Sequence, residues 1–288
     1  MQLLTSIQEM RSACKQARDR ANLPARLGLV PTMGAIHQGH LSLVAAARQE
    51  CDIVAASIFV NPLQFGPSED FERYPRALEE DRRLLSSAGV DLLFAPDARE
   101  MYPSGATTSV IVGGISDRLD GASRPGHFRG VTTVVAKLFN VVQPDLAYFG
   151  QKDAAQVAVL QAMVRDLNIP VQLRVCPIIR EQDGLAMSSR NRYLSPDERV
   201  QALALSRALG AAQQRINRGE TRASSLCSAM QEVLSAAPAL RVDYIKVVHP
   251  ATLEDADSVA DGALIAVAAW FGETRLIDNL KVEPSTHA

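Results

Sequence analysis

Two histidines three positions apart, His37 and His40, lie in the segment PTMGAIHQGH, just after a short apolar run. On a helix that begins by His37, side chains three apart share a face at about 5–6 Å, so both imidazoles can reach one triphosphate. A helix N-terminus adds unpaired N–H groups and positive potential, which suit phosphate oxygens. Gly34 and Gly39 leave the backbone bare where a nucleotide needs close approach. The HxxH spacing alone equally fits a helix cap, a solvated residue or a metal site lacking its other ligands, so further groups have to join it.

Three other segments supply such groups. In Gly150-Gln151-Lys152-Asp153 the lysine offers a compact ammonium for an α- or β-phosphate, and Asp153 can cap the following helix or hold a hydrated Mg²⁺. In Met187-Ser188-Ser189-Arg190-Asn191 two hydroxyls precede a guanidinium able to grip phosphate bidentately, although a plain linker with a helix cap reads the same way. In Asn61-Pro62-Leu63-Gln64-Phe65, joined by Gln156, carboxamides both donate and accept, which suits a hydroxy acid or an amine without imposing charge.

The elements that must carry these residues alternate. Residues 1 to 22 have the spacing of an amphipathic helix. Strands follow at Arg26–Thr32, Asp52–Val60, VDLLFAP, DLAYFG and near Val171–Val175. Helical patterns come between them: from Gly39, over Ala77–Ala88, over GHFRGVTTVVAKLFNVV, and over AAQVAVLQAMVRDL. The stretch from Asp97 to Gly126 is less regular, and NPLQFGPSED is a loop of turn formers. Strands separated by helical crossovers build a parallel sheet covered on both faces, with ligands gathering beyond the carboxyl ends of its strands. Near Arg180 the chain becomes polar and punctuated. Helices at Pro196–Asn217 and Ala223–Ala236, two β-like runs, VDYIKVVHP and GALIAVAAWF, and a short tail then make a second, small α+β domain.

With 288 residues there is length for two domains, divided at 178 and 179. A formal net charge of −2 removes the positive field of a dedicated nucleic-acid binder, and 47% hydrophobic with 22% charged residues is ordinary for a globular chain, so small molecules are the expected partners. The four cysteines are scattered without metal-ligand spacing, and nothing resembles a signal peptide or a membrane span, which together predict a cytoplasmic protein with reduced thiols.

PTMGAIHQGH, FVNPLQFGPSEDFERYPR, RPGHFRGVTTVVAKLFN, FGQKDAAQ and LAMSSRNRYLS, taken in this order from Pro31 to Ser195, resemble the pantoate–β-alanine ligase family. His37–His40 is similar to the HIGH signature of the wider nucleotidyltransferase superfamily, with Gln38 in place of isoleucine. The segment at Met187 is similar to the KMSKS loop but lacks its lysines, so Arg190 and Lys152 must bring the charge. The resemblance implies an α/β fold, a Rossmann-like doubly wound parallel sheet binding ATP and pantoate over 1–178, with a smaller C-terminal α+β domain over 179–288 carrying the KMSKS-like loop. It implies formation of pantoyl adenylate from pantoate and MgATP, then displacement of AMP by β-alanine, in a homodimer associated through the N-terminal domain.

By the same resemblance Met33, Gly34, Ala35, Ile36, His37, Gln38, Gly39 and His40 line the ATP site, with His40 as proton donor and His37 as its phosphate-binding partner. Gly150, Gln151, Lys152, Asp153, Ile179, Met187, Ser188, Ser189 and Arg190 also contact ATP. Gln64 and Gln156 hold pantoate, with Gln64 and Asn61 also near β-alanine, and Mg²⁺ comes with the ATP phosphates. Arg129 either shapes the pantoate site or braces the fold. The competing functions are a nucleotidylyltransferase, which needs a basic acceptor pocket, a fragment of an aminoacyl-tRNA synthetase, which needs an anticodon-binding surface, and a non-catalytic ATP sensor, which would not release AMP.

Overall fold

The computed structural model describes residues 1–20, 24–67, 69–238 and 240–284. The chain divides into two compact units, Met1–Gly150 with Val159–Pro177, and Gln151–Ala158 with the chain from Ile178 onward. In order the first unit holds β1 (Gln2–Leu4), α1 (Ile7–Arg20), β2 (Leu27–Thr32), α2 (Gln38–Glu50), β3 (Ile53–Ile58), α3 (Leu78–Ser87) and β4 (Leu92–Phe94). The short helices α4 (Ala98–Met101) and α5 (Asp120–Ser123) cross the less regular stretch to α6 (His127–Val142) and β5 (Leu146–Gly150). The chain enters the second unit at Gln151, returns to the first within α7 (Ala154–Asp166) and goes on to β6 (Gln172–Cys176).

All six strands of the first unit pair in parallel, in the order β1-β4-β3-β2-β5-β6. Buried on both faces, the central strands have no polar side to show and read as near-continuous apolar runs. Val30, Val54, Ala56, Leu93, Leu146 and Tyr148 pack with Val44 and Ala47 of α2 and Leu85 of α3. The alternate residues, such as Leu29, Ala55, Phe94 and Ala147, are equally buried, and α1 and α6 touch each other and, respectively, β4 and β2. This is the expected doubly wound α/β sheet.

The second unit adds α8 (Pro196–Asn217), α9 (Ala223–Ser235), β7 (Leu240–Val248), β8 (Ala263–Phe271) and β9 (Thr274–Val282), the last three forming an antiparallel sheet in that order. Leu205 and Leu209 of α8 and Leu226 and Met230 of α9 share one core with Ile265, Val267 and Phe271 of β8. Ser195 and Glu198 close a reciprocal capping box at the start of α8, with Pro196 in the first turn where no N–H is missed.

Two expectations are corrected. The helix read over 1–22 begins only at Ile7, because residues 2–4 complete the open edge of the sheet, where the Gln2 amide donates to Asp91 O at 2.8 Å and the Ala95 amide donates to Leu4 O at 2.9 Å. Positions 21 and 22 of that reading, and Ser68 of the loop NPLQFGPSED, lie outside the described residues. The short tail is instead a third strand, β9, returned by a tight turn at Gly272 (φ +54°) and Glu273. Residues 151–158, expected within the first domain, group with the second unit, and residues 285–288 of the expected second domain lie outside the described ones. Among the described residues no helix is long and apolar enough to cross a membrane.

Candidate active site

In the first unit β3 and β4 lie to one side of β2, and β5 and β6 to the other. The order therefore reverses between β2 and β5, where open α/β sheets gather ligands at the carboxyl ends of their strands. β2 ends at Thr32 and leads straight into the histidine segment, while β5 ends at Gly150, one residue before Gln151-Lys152.

His37 is the N-cap of α2, its Nδ1 accepting from the Gly39 amide at 3.1 Å. A ring that accepts at Nδ1 carries its neutral-state proton on Nε2. The His37 carbonyl accepts from the His40 and Leu41 amides at 2.9 and 3.1 Å, and the two rings stack with centroids 4.1 Å apart and planes at 27°. The helix thus starts where both imidazoles share one face, and the capping and pairing readings of His37 hold together. Gln38 is exposed, Gly39 and His40 are half-buried.

A buried carboxylate holds the loop before them. Asp81 of α3, 2% exposed, accepts from the amides of Ala35 and Ile36 at 2.8 and 2.7 Å. Gly34 has φ +90°, and a Cβ there would come 3.0 Å from Asp81 Oδ2, so this glycine answers to the protein's own packing as well as to any ligand. Ala35 follows at φ +52°, an uncommon region for a residue with a side chain, held by those two hydrogen bonds. The Gly34 amide donates to Thr32 Oγ1 at 3.1 Å, and Thr32 Oγ1 donates to Ser57 O at 2.7 Å. The backbone donors of Ala35 and Ile36 are thereby engaged within the protein, and both side chains are buried.

Asn61 and Gln64 belong to one 3-10 turn, Pro62–Gln64, and both are buried. Asn61 donates to Gln64 Oε1 at 3.1 Å and to Gly130 O at 3.0 Å, and accepts from Tyr102 OH at 2.8 Å and the Leu63 amide at 3.3 Å. Its carboxamide is spent on orienting Gln64, whose Nε2 lies 2.9 Å from Met33 Sδ. The turn sits against α6 because Gly130 has no side chain: a Cβ there would be 2.3 Å from Leu63 O.

A clamp from RPGHFRGV grips the same turn. Arg124 donates twice to Glu69, at 2.8 and 2.6 Å, and once to Gln64 O at 3.3 Å. His127 Nδ1 donates to Gln64 O at 2.8 Å, and its Nε2 accepts from Arg124 Nη1 at 3.0 Å, which fixes a neutral tautomer. Burial, with the Arg124 charge beside it, pushes the His127 pKa down to about 4. Burial would raise Glu69, but the hydrogen bonds and charge of Arg124 outweigh it and keep the carboxyl below its usual range. Arg129, two residues after His127, is exposed.

In the second unit Gln151–Asp153 forms a 3-10 turn leading into α7, with Gln156 half-buried on the first turn of that helix. Lys152 Nζ is 3.7 Å from Asp153 Oδ1 and its side chain is mostly covered. A Cβ at Gly150 would meet no protein atom within 4 Å. Ile179 pairs with Met187 through a 2.9 Å backbone bond in a hairpin pinned by Arg180, which donates to both oxygens of buried Asp278 at 2.7 and 3.0 Å. That hairpin delivers Ser188, whose Oγ caps a 3-10 turn by accepting from the Arg190 amide at 3.3 Å, with Ser189 buried behind it. Sequence reasoning missed Asp81, the Arg124–His127 clamp, Asp278 and Asn279. The last, on β9, donates to Gln151 O and Lys152 O at 2.9 Å each.

The comparisons with known proteins agree along the whole chain. The family model for pantoate-β-alanine ligase matches residues 2–281. The pantothenate synthetase of Acidobacterium capsulatum is 58% identical over 97% of this chain and 96% of its own. The crystal structure of pantothenate synthetase from Thermus thermophilus is 50% identical, with a TM-score of 0.92 over 99% of this chain and all of that one. Pantoate-β-alanine ligase from Francisella tularensis, complexed with β-γ ATP and β-alanine, is 33% identical, with a TM-score of 0.78 over 98% of this chain and 97% of that one. The stacked histidines beyond β2, the carboxamide turn and the lysine turn thus occur in a chain that belongs to the pantoate–β-alanine ligase family.

Proposed function

We propose that this chain condenses pantoate with β-alanine at the expense of ATP, through pantoyl adenylate. A pantoate carboxylate oxygen attacks the α-phosphorus of ATP and pyrophosphate leaves. The β-alanine amine then attacks the acyl carbon, the C–O bond breaks, and AMP departs as the amide forms. The observation that carries this reading is the stacked His37–His40 pair on the first turn of α2, at the reversal of the strand order. The co-crystallised β-γ ATP and β-alanine of the Francisella tularensis relative support two of the three substrates.

In this reading the first unit binds ATP and pantoate, and Met33–His40 shape the nucleotide site. His37 and His40 donate to phosphate oxygens as charge builds, and Lys152 and Arg190 of the second unit bring the cations. Such transfers are driven by positioning and by charge stabilisation. Gly150, Gln151, Asp153, Ile179, Met187, Ser188 and Ser189 complete the ATP contacts, and Gln64 and Gln156 hold pantoate. Asn61 acts through Gln64, since its own polar atoms are engaged within the protein. Mg²⁺ is carried in this reading by the nucleotide phosphates and neutralises their charge, with Asp153 the carboxylate adjoining Lys152. The reading also includes a homodimer and a cytoplasmic setting.

Carboxylate-labelled pantoate tests the chemistry directly. With ¹⁸O in the carboxylate, one labelled oxygen should appear in the AMP released during amide formation; AMP free of label would rule out the acyl adenylate.

A further inference from the structure

The second unit contains a buried carboxamide whose hydrogen bonds end at the backbone of the lysine turn. Asn279 lies on β9, 5% exposed, 127 residues from Lys152 in sequence. Its Nδ2 donates one proton to Gln151 O and the other to Lys152 O, each at 2.9 Å, while its Oδ1 accepts from Gln151 Nε2 at 3.0 Å. Both amide protons are used, and a flipped carboxamide would set oxygen against two carbonyl oxygens. The backbone of Asn279 is itself fixed, in register with Ala266 on β8 and with its amide donating to Asp278 Oδ1 at 2.8 Å.

Successive carbonyls at Gln151 and Lys152 face the same donor only when the turn holds one conformation. That conformation sets the direction in which the Lys152 side chain leaves the backbone. A lysine has four rotatable bonds and no geometric preference of its own, so the aim of its ammonium depends on where its Cα–Cβ bond points. We propose that Asn279 is a positioning residue for adenylate formation, fixing the backbone of Lys152 so that its ammonium meets the ATP phosphates. This rests on the reading of Lys152 as a phosphate-binding cation.

The test is pantoate-dependent exchange of labelled pyrophosphate into ATP by the full-length wild type, Asn279→Asp, Asn279→Ala, Lys152→Ala and the double variant N279D/K152A. N279D keeps shape and one acceptor but removes both donors; N279A removes them without adding charge. Misplacing a reacting group by about an ångström costs on the order of 10²-fold in rate, so each Asn279 variant should lose about that much of the exchange kcat, with the KM for pantoate within threefold. If Asn279 acts through Lys152, the double variant should match Lys152→Ala within threefold. Losses that multiply in the double variant would mean that Asn279 serves general stability and would overturn the proposal. So would an N279D or N279A rate near wild type, or failure of both variants to give native circular dichroism. A Lys152→Ala enzyme as active as wild type would instead remove the reading of Lys152, and the proposal with it.

Discussion

In the proposed reaction His37 and His40 do different work although they stack. The Nδ1 of His37 is committed to the cap of α2, so its chemistry runs through Nε2, while His40 stands one turn further on with its ring held against that of its neighbour. His40→Ala should slow adenylate formation by about 10²- to 10³-fold, the usual cost of losing an oriented donor to developing charge, measured as single-turnover AMP-acyl formation. A rate within threefold of wild type would remove His40 from the chemistry. His127 makes a prediction about stability. Its folded pKa is depressed to about 4, so in the unfolded chain it binds its proton first as pH falls. The stabilisation is present above about pH 6.5 and is lost on the way down to about 4, worth about 3 kcal/mol in all. Asn in its place keeps a donor for Gln64 O but does not titrate. Between pH 7 and 4.5, urea denaturation should show the wild type losing about 2 kcal/mol more than His127→Asn; equal losses would mean that the ring is not held neutral by Arg124 and burial.

Among the elements, α6 carries the turn proposed to hold pantoate by coming close to it. Gly130→Ala would put a methyl 2.3 Å from Leu63 O, and backbone on both sides leaves little room to yield. It should cost about 1–3 kcal/mol of stability by overpacking, and it should raise the KM for pantoate more than that for ATP; a selective rise for ATP would contradict the assignment of Gln64. The elements themselves were largely legible. β2 to β5 are apolar runs, and α2, α3, α6 and α8 have helical period, so local pattern and fold agree; β6, with Gln172 and Arg174, is more polar. β1 was hidden inside a helical pattern because only pairing with β4, some 90 residues away, makes Gln2–Leu4 a strand. β9 was hidden because TRLIDNLKV carries charges and an asparagine, although the tight turn at Gly272-Glu273 was a usable signal. Of the four candidate segments, three follow strands of the parallel sheet, and the one at Met187 stands out only by its hydroxyls and guanidinium in a polar stretch. Asp81 and Asn279 were not, since each meets its loop across the fold, 45 or more residues away, and no local spacing marks a carboxylate or carboxamide for that task.

At the scale of the whole molecule, two cores share one chain that crosses between them three times, and in the proposed reaction each unit supplies residues of its own. The first holds the histidines and the carboxamide turn, and the second holds Lys152 and Arg190. A net charge of −2 leaves attraction for anionic substrates to these local groups and not to an overall field. The division of labour also separates this reading from its competitors. A nucleotide sensor would close on ATP without turning it over, and a nucleotidylyltransferase would need a phosphate-bearing acceptor where this chain offers Gln64 and Gln156. Activation of pantoate, and of no other acid in its place, is read out by exchange of labelled pyrophosphate into ATP by the purified protein without β-alanine, across a panel of carboxylic acids. Exchange should require pantoate, and adding β-alanine should then release AMP and pantothenate in equal amounts; exchange supported by none of the acids, or by an acid other than pantoate in its place, would contradict the account.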